Sequence, residues 1–266
     1  MALTMIDVFD SGIGGLTVLK ALTQNMPDFD FIYFGDTARA PYGTKNSNTI
    51  IDYTLEGIQF LLSLGVKVVV LACNTVASLA TDSVQTRFNI PVIEFITPAV
   101  KLAVKTSRYQ RIGFIGTPAT VMSGAYEKKI HNENPATKVY SAACPLLVPL
   151  IEEGWHRRPE TKMIVKKCLI PLKARQIDTL ILGCAHYALL TATIQAKAGK
   201  QVNLIDPTSC IADSLKTFLS KHRDVDKTLS KNGILRIVMS DVTARVEKLA
   251  GSILKRNVPI MARKHF

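Results

Sequence analysis

Short runs of β-branched, aliphatic and aromatic residues recur along the chain. They alternate with longer segments whose apolar residues return at helical spacing. The runs are Met5–Phe9 (MIDVF), Phe31–Gly35 (FIYFG), Val66–Ala72 (VKVVVLA), Pro91–Phe95 (PVIEF), Arg111–Gly116 (RIGFIG), Lys138–Ala142 (KVYSA), Ile177–Gly183 (IDTLILG), Val202–Asp206 (VNLID) and Ile234–Ser240 (ILRIVMS). This alternation predicts an α/β protein with mainly parallel sheets. Stretches such as VVVLA and LILG are apolar at every position, which is how a strand covered on both faces reads. Asn48–Leu64 and Thr208–Lys221 carry the helical spacing, and Thr208 or Ser209, just after Pro207, can cap the second.

The order of features occurs twice. In the first half one strand ends in DSGIGGLT and a later one in ACNT; in the second half one ends in GTPAT and a later one in GCAH. Two similar α/β units would each place a strand-end cysteine outside the carboxyl ends of a parallel sheet, where open sheets bind ligands, and facing units would bring the thiols together across a cleft. The runs VNLID and ILRIVMS are left over, and are most simply explained if the chain returns to complete the first unit. The division is drawn at residues 1–97 plus 208–266 for a discontinuous first domain and 98–207 for the second, a boundary that keeps the VNLID residues in the second.

Composition narrows this picture. A chain of 266 residues with 47% apolar content can bury a substantial core. No run approaches the ~20 apolar residues of a membrane-spanning helix. The start, MALTMIDVFDSG, meets an aspartate before a signal-type apolar core could form, so a cytoplasmic protein is expected. Five scattered cysteines, never spaced C-x-x-C, argue for reduced thiols rather than a disulfide framework or a zinc site. The net charge of +12 comes from basic residues spread along the chain, with modest gatherings at Arg157–Lys173 and Lys255–Lys264 and no interleaved aromatic residues. That pattern favours a solvated surface over a nucleic-acid partner, while a positive field would still attract a small anionic substrate.

The candidate chemistry lies at the strand ends. Cys73 and Cys184 each follow a strand and precede a helix-like segment, where backbone N–H groups and a helix dipole lower a thiol's pKa. Either one alone reads as a buried structural cysteine. Two in matching contexts, followed by Asn74 and Thr75 and by His186 and Tyr187, point to function; Cys144, Cys168 and Cys210 lack that context and are assigned to packing. DSGIGG is a glycine-rich turn before a helix, free to approach a small anion such as a carboxylate, though without the spacing of a dinucleotide fingerprint. GDTARAPYGTKN (Gly35–Asn46) reads as a surface loop when taken by itself. Glu152 and Glu153 follow an apolar run beside Trp155, the single tryptophan; a carboxylate there could orient a histidine, or be part of an acidic surface pair. A Cys184–His186 hydrolase dyad is disfavoured, since residues two apart do not face each other on a strand or helix.

Taken together, DSGIGGLTVLK, YFGDTARAPYG, LACNTVAS, PLLVPLIEEGW and LGCAHYALL, in that order and with IDPT (Ile205–Thr208) beyond, resemble the cofactor-independent glutamate racemases of the Asp/Glu racemase superfamily. The resemblance implies two facing α/β domains with the active site in the interdomain cleft. It implies two cysteines acting as acid and base on opposite faces of the substrate α-carbon, Cys73 taking the proton from D-glutamate and Cys184 from L-glutamate, with no pyridoxal phosphate or other cofactor and no metal. Asp10 and His186, with Glu152 behind the histidine, correspond to the groups that assist the thiols. Asp10, Ser11, Tyr42, Gly43, Asn74, Thr75, Ala185 and His186 correspond to those that hold the substrate. The implied role is supply of D-glutamate for peptidoglycan, with a small-molecule substrate and no nucleic-acid or membrane partner. Family members form homodimers of more than one geometry, so a homodimer is open here. Some are activated by a cell-wall precursor through an N-terminal extension; only nine residues precede Asp10, so that control is not expected. Two positions depart from the family pattern, which has threonine at 185 and proline at 188 where this chain has Ala185 and Ala188. The missing hydroxyl leaves two alternatives, a racemase for aspartate or a related amino acid and a catalytically weakened relative that binds an acidic metabolite.

Overall fold

The computed structural model describes residues 4–263. Lys264, at the end of the second basic gathering, lies outside the described residues. Every run read as a strand forms one, and a tenth is added: β1 Ile6–Asp10, β2 Phe31–Gly35, β3 Val68–Leu71, β4 Val92–Ile93, β5 Arg111–Gly116, β6 Lys138–Ala143, β7 Thr179–Gly183, β8 Asn203–Ile205, β9 Leu235–Met239 and β10 Ile260–Ala262. They form a six-stranded sheet of order β10-β9-β2-β1-β3-β4 and a four-stranded sheet of order β6-β5-β7-β8. Every pairing is parallel.

In both sheets the chain reverses its direction of winding beside a central strand. It leaves β1 for β2 on one side and returns to β3 on the other; it leaves β5 for β6 and returns to β7. Such a switch opens a crevice at the carboxyl ends of the two strands, because the loops that follow them run to opposite faces. The four segments at these crevices begin at Asp10, Cys73, Thr117 and Cys184.

Helices on both faces explain the continuous apolar runs. One buried cluster joins Phe9, Phe34, Val69 and Leu71 of the large sheet to Ile112, Phe114 and Ile181 of the small one, through Ile96 and Ala99 of helix Ile96–Thr106. A second covers the other face of the large sheet with Leu16, Leu19, Ile211 and Leu249. A third, with Leu147, Leu169 and Ile194, covers the other face of the small sheet. No helix among the described residues is long and apolar enough to cross a membrane.

Two sequence expectations change. VNLID does not complete the first sheet: β8 pairs with β7, Thr179 opposite Asn203 and Ile181 opposite Ile205, so only the later run, β9, returns to the large sheet, beside β2. The short helix Thr191–Ala198 sets β8 down beside the strand it has just left. The cap at 208–209 also moves, because Asp206 accepts from the Thr208 N–H at 3.0 Å and opens a 3₁₀ turn at Pro207–Cys210, after which helix Ile211–Lys221 begins.

Candidate active site

The carboxyl ends of β1, β3, β5 and β7 meet around a cavity of about 60 Å³. Asp10, Ser11, Tyr42, Gly43, Cys73, Asn74, Thr75, Glu152, Cys184, Ala185 and His186 all line it. Cys144, Cys168 and Cys210 are not among its lining residues. Thr117, Pro145, Val148 and Pro149 also contribute walls that sequence reasoning did not single out. Only Thr117 carried a signal, its place at the end of β5; the proline and valine side chains become lining only through packing.

Cys73 is the residue before helix Asn74–Leu79, and its Sγ lies 3.1 Å from Ser11 Oγ. The dipole argument predicted a lowered pKa, and the structure reverses it. Burial and the nearby Asp10 carboxylate push the thiol up to about 12, and the Ser11 hydroxyl and Val76 N–H only partly oppose them. A six-residue helix offers little dipole against the loss of solvent. Cys73 therefore carries its proton at neutral pH.

Cys184 precedes a 3₁₀ turn, Ala185–Leu190, rather than an α-helix. This turn brings about the contact that regular geometry disfavoured, with Cys184 Sγ 3.7 Å from His186 Nδ1. His186 Nε2 lies 3.0 Å from Glu152 Oε1. Burial alone would lower the histidine's pKa, but the hydrogen bonds to Cys184 and Glu152 outweigh it and hold the imidazole well above its ordinary value. Glu152 responds in kind: burial raises it, while His186 and then Arg245 bring it below the usual carboxylate range. Protonated His186 thus supplies a partner for negative charge developing on Cys184 Sγ. Glu153 is exposed and pairs with Arg245, Trp155 is exposed, and only the first of the two glutamates lines the cavity.

The glycine-rich turn is already occupied by a carboxylate of the chain itself. Asp10 Oδ2 accepts from the N–H groups of Gly12 (3.1 Å) and Gly15 (3.0 Å) and from the Tyr33 hydroxyl (3.1 Å). These donors, expected to face a bound anion, instead fix Asp10. Burial still raises its pKa, against His186 and those same donors. The turn runs so close to the opposite wall that a Cβ on Gly14 would stand 2.3 Å from His186 Nδ1. A side chain there would evict the imidazole.

The segment Gly35–Asn46 is part of the site rather than a free surface loop. Buried Asp36 accepts from Arg39 Nε at 2.5 Å, from Ser240 Oγ at 2.8 Å and from the Tyr42 hydroxyl, which draws Tyr42 inward. A Cβ on Gly43 would stand 2.5 Å from Thr117, so glycine permits the two sheets' loops to touch. Thr75 Oγ1 lies 3.0 Å from Thr117 Oγ1, another contact between them. The Asn74 amide is best oriented with its oxygen accepting from the N–H groups of Cys184 and Ala185, each at 3.3 Å, and its nitrogen donating to the Tyr126 hydroxyl. Residues that follow one cysteine thereby help to position the other.

The cavity can hold a small polar molecule between two thiols, each with its own proton-handling neighbours: Ser11 and Asp10 at Cys73, His186 and Glu152 at Cys184. Among the described residues no cluster of three or more His, Cys, Asp or Glu side chains is arranged to hold a metal ion.

Comparison with known proteins adds an independent line. The Asp/Glu/Hydantoin racemase family matches residues 16–215. A glutamate racemase from Syntrophus aciditrophicus is 41% identical over 255 residues, covering 96% of this chain and 94% of the relative. The crystal structure of glutamate racemase from Francisella tularensis in complex with D-glutamate is similar, with a TM-score of 0.89, 38% identity, and 98% of this chain and 97% of that one covered. So is glutamate racemase isoform RacE1 from Bacillus anthracis, with a TM-score of 0.92, 33% identity, and 99% and 98% covered.

Proposed function

This chain belongs to the Asp/Glu/Hydantoin racemase family, and we propose that it interconverts L- and D-glutamate by passing the Cα proton between Cys73 and Cys184, supplying D-glutamate for peptidoglycan. The observation that carries this reading is the pair of strand-end thiols lining one cavity. Inverting a stereocentre by deprotonation needs a base on one face and an acid on the other, and each correctly placed group contributes ~10²–10⁴-fold.

The two sides are unequal in the direction the biology asks for. Cys73, pushed up to about 12, holds its proton and is set to donate. On the other side the imidazole of His186, held by Glu152, stands beside Cys184 Sγ as a partner for negative charge on that sulfur. In that state Cys184 takes the proton from the α-carbon of L-glutamate, and Cys73 S–H delivers one to the opposite face. For the reverse direction Cys73 acts as the base and Cys184 as the acid. The Cα–H of an amino acid is a poor acid, so the carbanion needs fixed donors in a site shielded from water. Asn74, Thr75 and the backbone N–H groups at the cysteine loops are the groups placed to supply them, with Ser11, Tyr42, Gly43, Ala185 and His186 completing the substrate's surroundings. The side chains of this chain perform the chemistry without a cofactor.

The test is exchange in deuterated water with each enantiomer. The wild-type protein incorporates deuterium at Cα of the product, while Cys73→Ala and Cys184→Ala each abolish racemisation. Normal racemisation by either variant removes the two-thiol assignment, and a higher kcat/KM for aspartate than for glutamate replaces the substrate. Rescue of a D-glutamate auxotroph tests the peptidoglycan role.

A further inference from the structure

A second concavity, of about 730 Å³, lies at the opposite end of the small sheet from the active site. Its walls come from the segments that lead into β5, β7 and β8, so a strand of six residues, about 20 Å, separates it from the cysteines. Its size falls within the range of small-molecule sites. Arg108, Arg111 and Lys200 line it, against one carboxylate, Asp178. None of the three cations has an ion-pair partner among the described residues.

Asp178 forms no ion pair with any of them, and its single charge leaves the three cations in excess. One of its oxygens accepts from Ser107 Oγ and the other from the Tyr109 N–H, each at 2.7 Å, which fixes the turn carrying Arg108 and Tyr109. Arg111 is aimed by Gln176, whose Oε1 accepts from Nη1 at 2.9 Å. Gln176 itself sits at φ 53, the left-handed position that closes helix Pro159–Ala174. Glycine is the usual residue there, and a glutamine held in that conformation keeps a side chain on the arginine. Tyr109 is 75% exposed at the same rim. Three cations, one of them a pinned guanidinium, and an open aromatic face are the chemistry that recognises clustered phosphate oxygens.

We propose that this concavity binds a diphosphate group, either free or carried by a small metabolite whose organic part rests on Tyr109. Arginine forks and a lysine point charge match adjacent phosphoryl groups, and the excess of positive charge draws the anion in.

Calorimetric titration of the full chain with inorganic pyrophosphate, ADP and adenosine tests this, using R108Q/K200Q and Y109A beside the wild type. Neither Arg108 nor Lys200 makes a side-chain hydrogen bond among the described residues, so the double variant is expected to fold and to racemise normally. Pyrophosphate or ADP should bind saturably, and the double variant should weaken that binding on the order of 100-fold, about tenfold for each charged contact. Tighter binding of ADP than of pyrophosphate, abolished in Y109A, indicates an esterified ligand; equal binding indicates the free anion. Binding unchanged in the double variant overturns the proposal, as do adenosine binding as well as ADP, or no binding of either diphosphate at millimolar concentration. A single-stranded oligonucleotide that binds through these cations while neither diphosphate does also overturns it, in favour of a nucleic-acid surface.

Discussion

Asp7 shows what a single residue can cost. It points from β1 between Met5 and Phe9 into the cluster shared by both sheets, opposite Ile32 and Val69. Among the described residues neither carboxyl oxygen has a hydrogen-bond partner. Burial pushes its pKa well above 3.8, and the Val8 N–H opposes this only weakly. The folded state therefore keeps a proton that the unfolded chain releases, so stability falls as pH rises from about the unfolded value through the folded one. Asp7→Val should raise stability at neutral pH by about 1–3 kcal/mol and flatten that part of the pH dependence. Thermal melts across pH check this, and an unchanged slope would sink it. Ala185 is the second informative residue. It lines the cavity with a methyl group where the family has a hydroxyl, while its N–H remains directed at Asn74. Ala185→Thr should raise kcat/KM for glutamate about tenfold, the worth of one hydrogen bond to a charged group. A rise for aspartate alone would mean that position 185 selects the substrate rather than limiting the rate.

At the scale of elements, what decides the site is how strands and helices end. Cys73 and Cys184 occupy matching strand ends, yet one leads into an α-helix and the other into a 3₁₀ turn, and that difference gives one thiol Ser11 and the other His186. Cysteines at strand ends were legible from the alternation of runs. The tighter turn was not, because AHYALL has no local signal separating it from the start of an α-helix. Helix ends also store removable strain. Helix Ala244–Leu254 closes on Lys255 with φ 55 and ψ 29, a left-handed conformation that a side chain disfavours. Lys255 is exposed. Lys255→Gly should stabilise the protein by roughly 0.5–1 kcal/mol, after allowing for glycine's greater freedom when unfolded. Chemical denaturation measures this, and a lowered midpoint would show that the lysine side chain compensates for its backbone.

Across the whole molecule, the two sheets share a core and a cavity. Phe9 and Phe34 belong to the same buried cluster as Phe114 and Ile181, and Thr75 meets Thr117 above it. A ligand held by loops of both sheets should therefore stabilise them together. At a glutamate concentration a hundred times Kd the gain is ~2.7 kcal/mol, seen as one melting transition moving upward. A ligand-insensitive transition would contradict the proposed site. The sequence by itself determined the parallel α/β architecture, since strands covered on both faces must be apolar throughout, and it marked both cysteines by their place at strand ends. It determined the family through motifs that occur in fixed order. It did not reveal β10, whose three residues lie at the sheet edge and are partly or largely exposed, leaving no apolar pattern to read. It also misassigned β8, because an apolar run states that a strand is buried and not which neighbour it joins. Only the tertiary structure decided the state of each titratable group. Solvent exclusion and neighbouring charge act through space, so Asp10, distant in sequence, raises Cys73, and Glu152 holds the proton on His186.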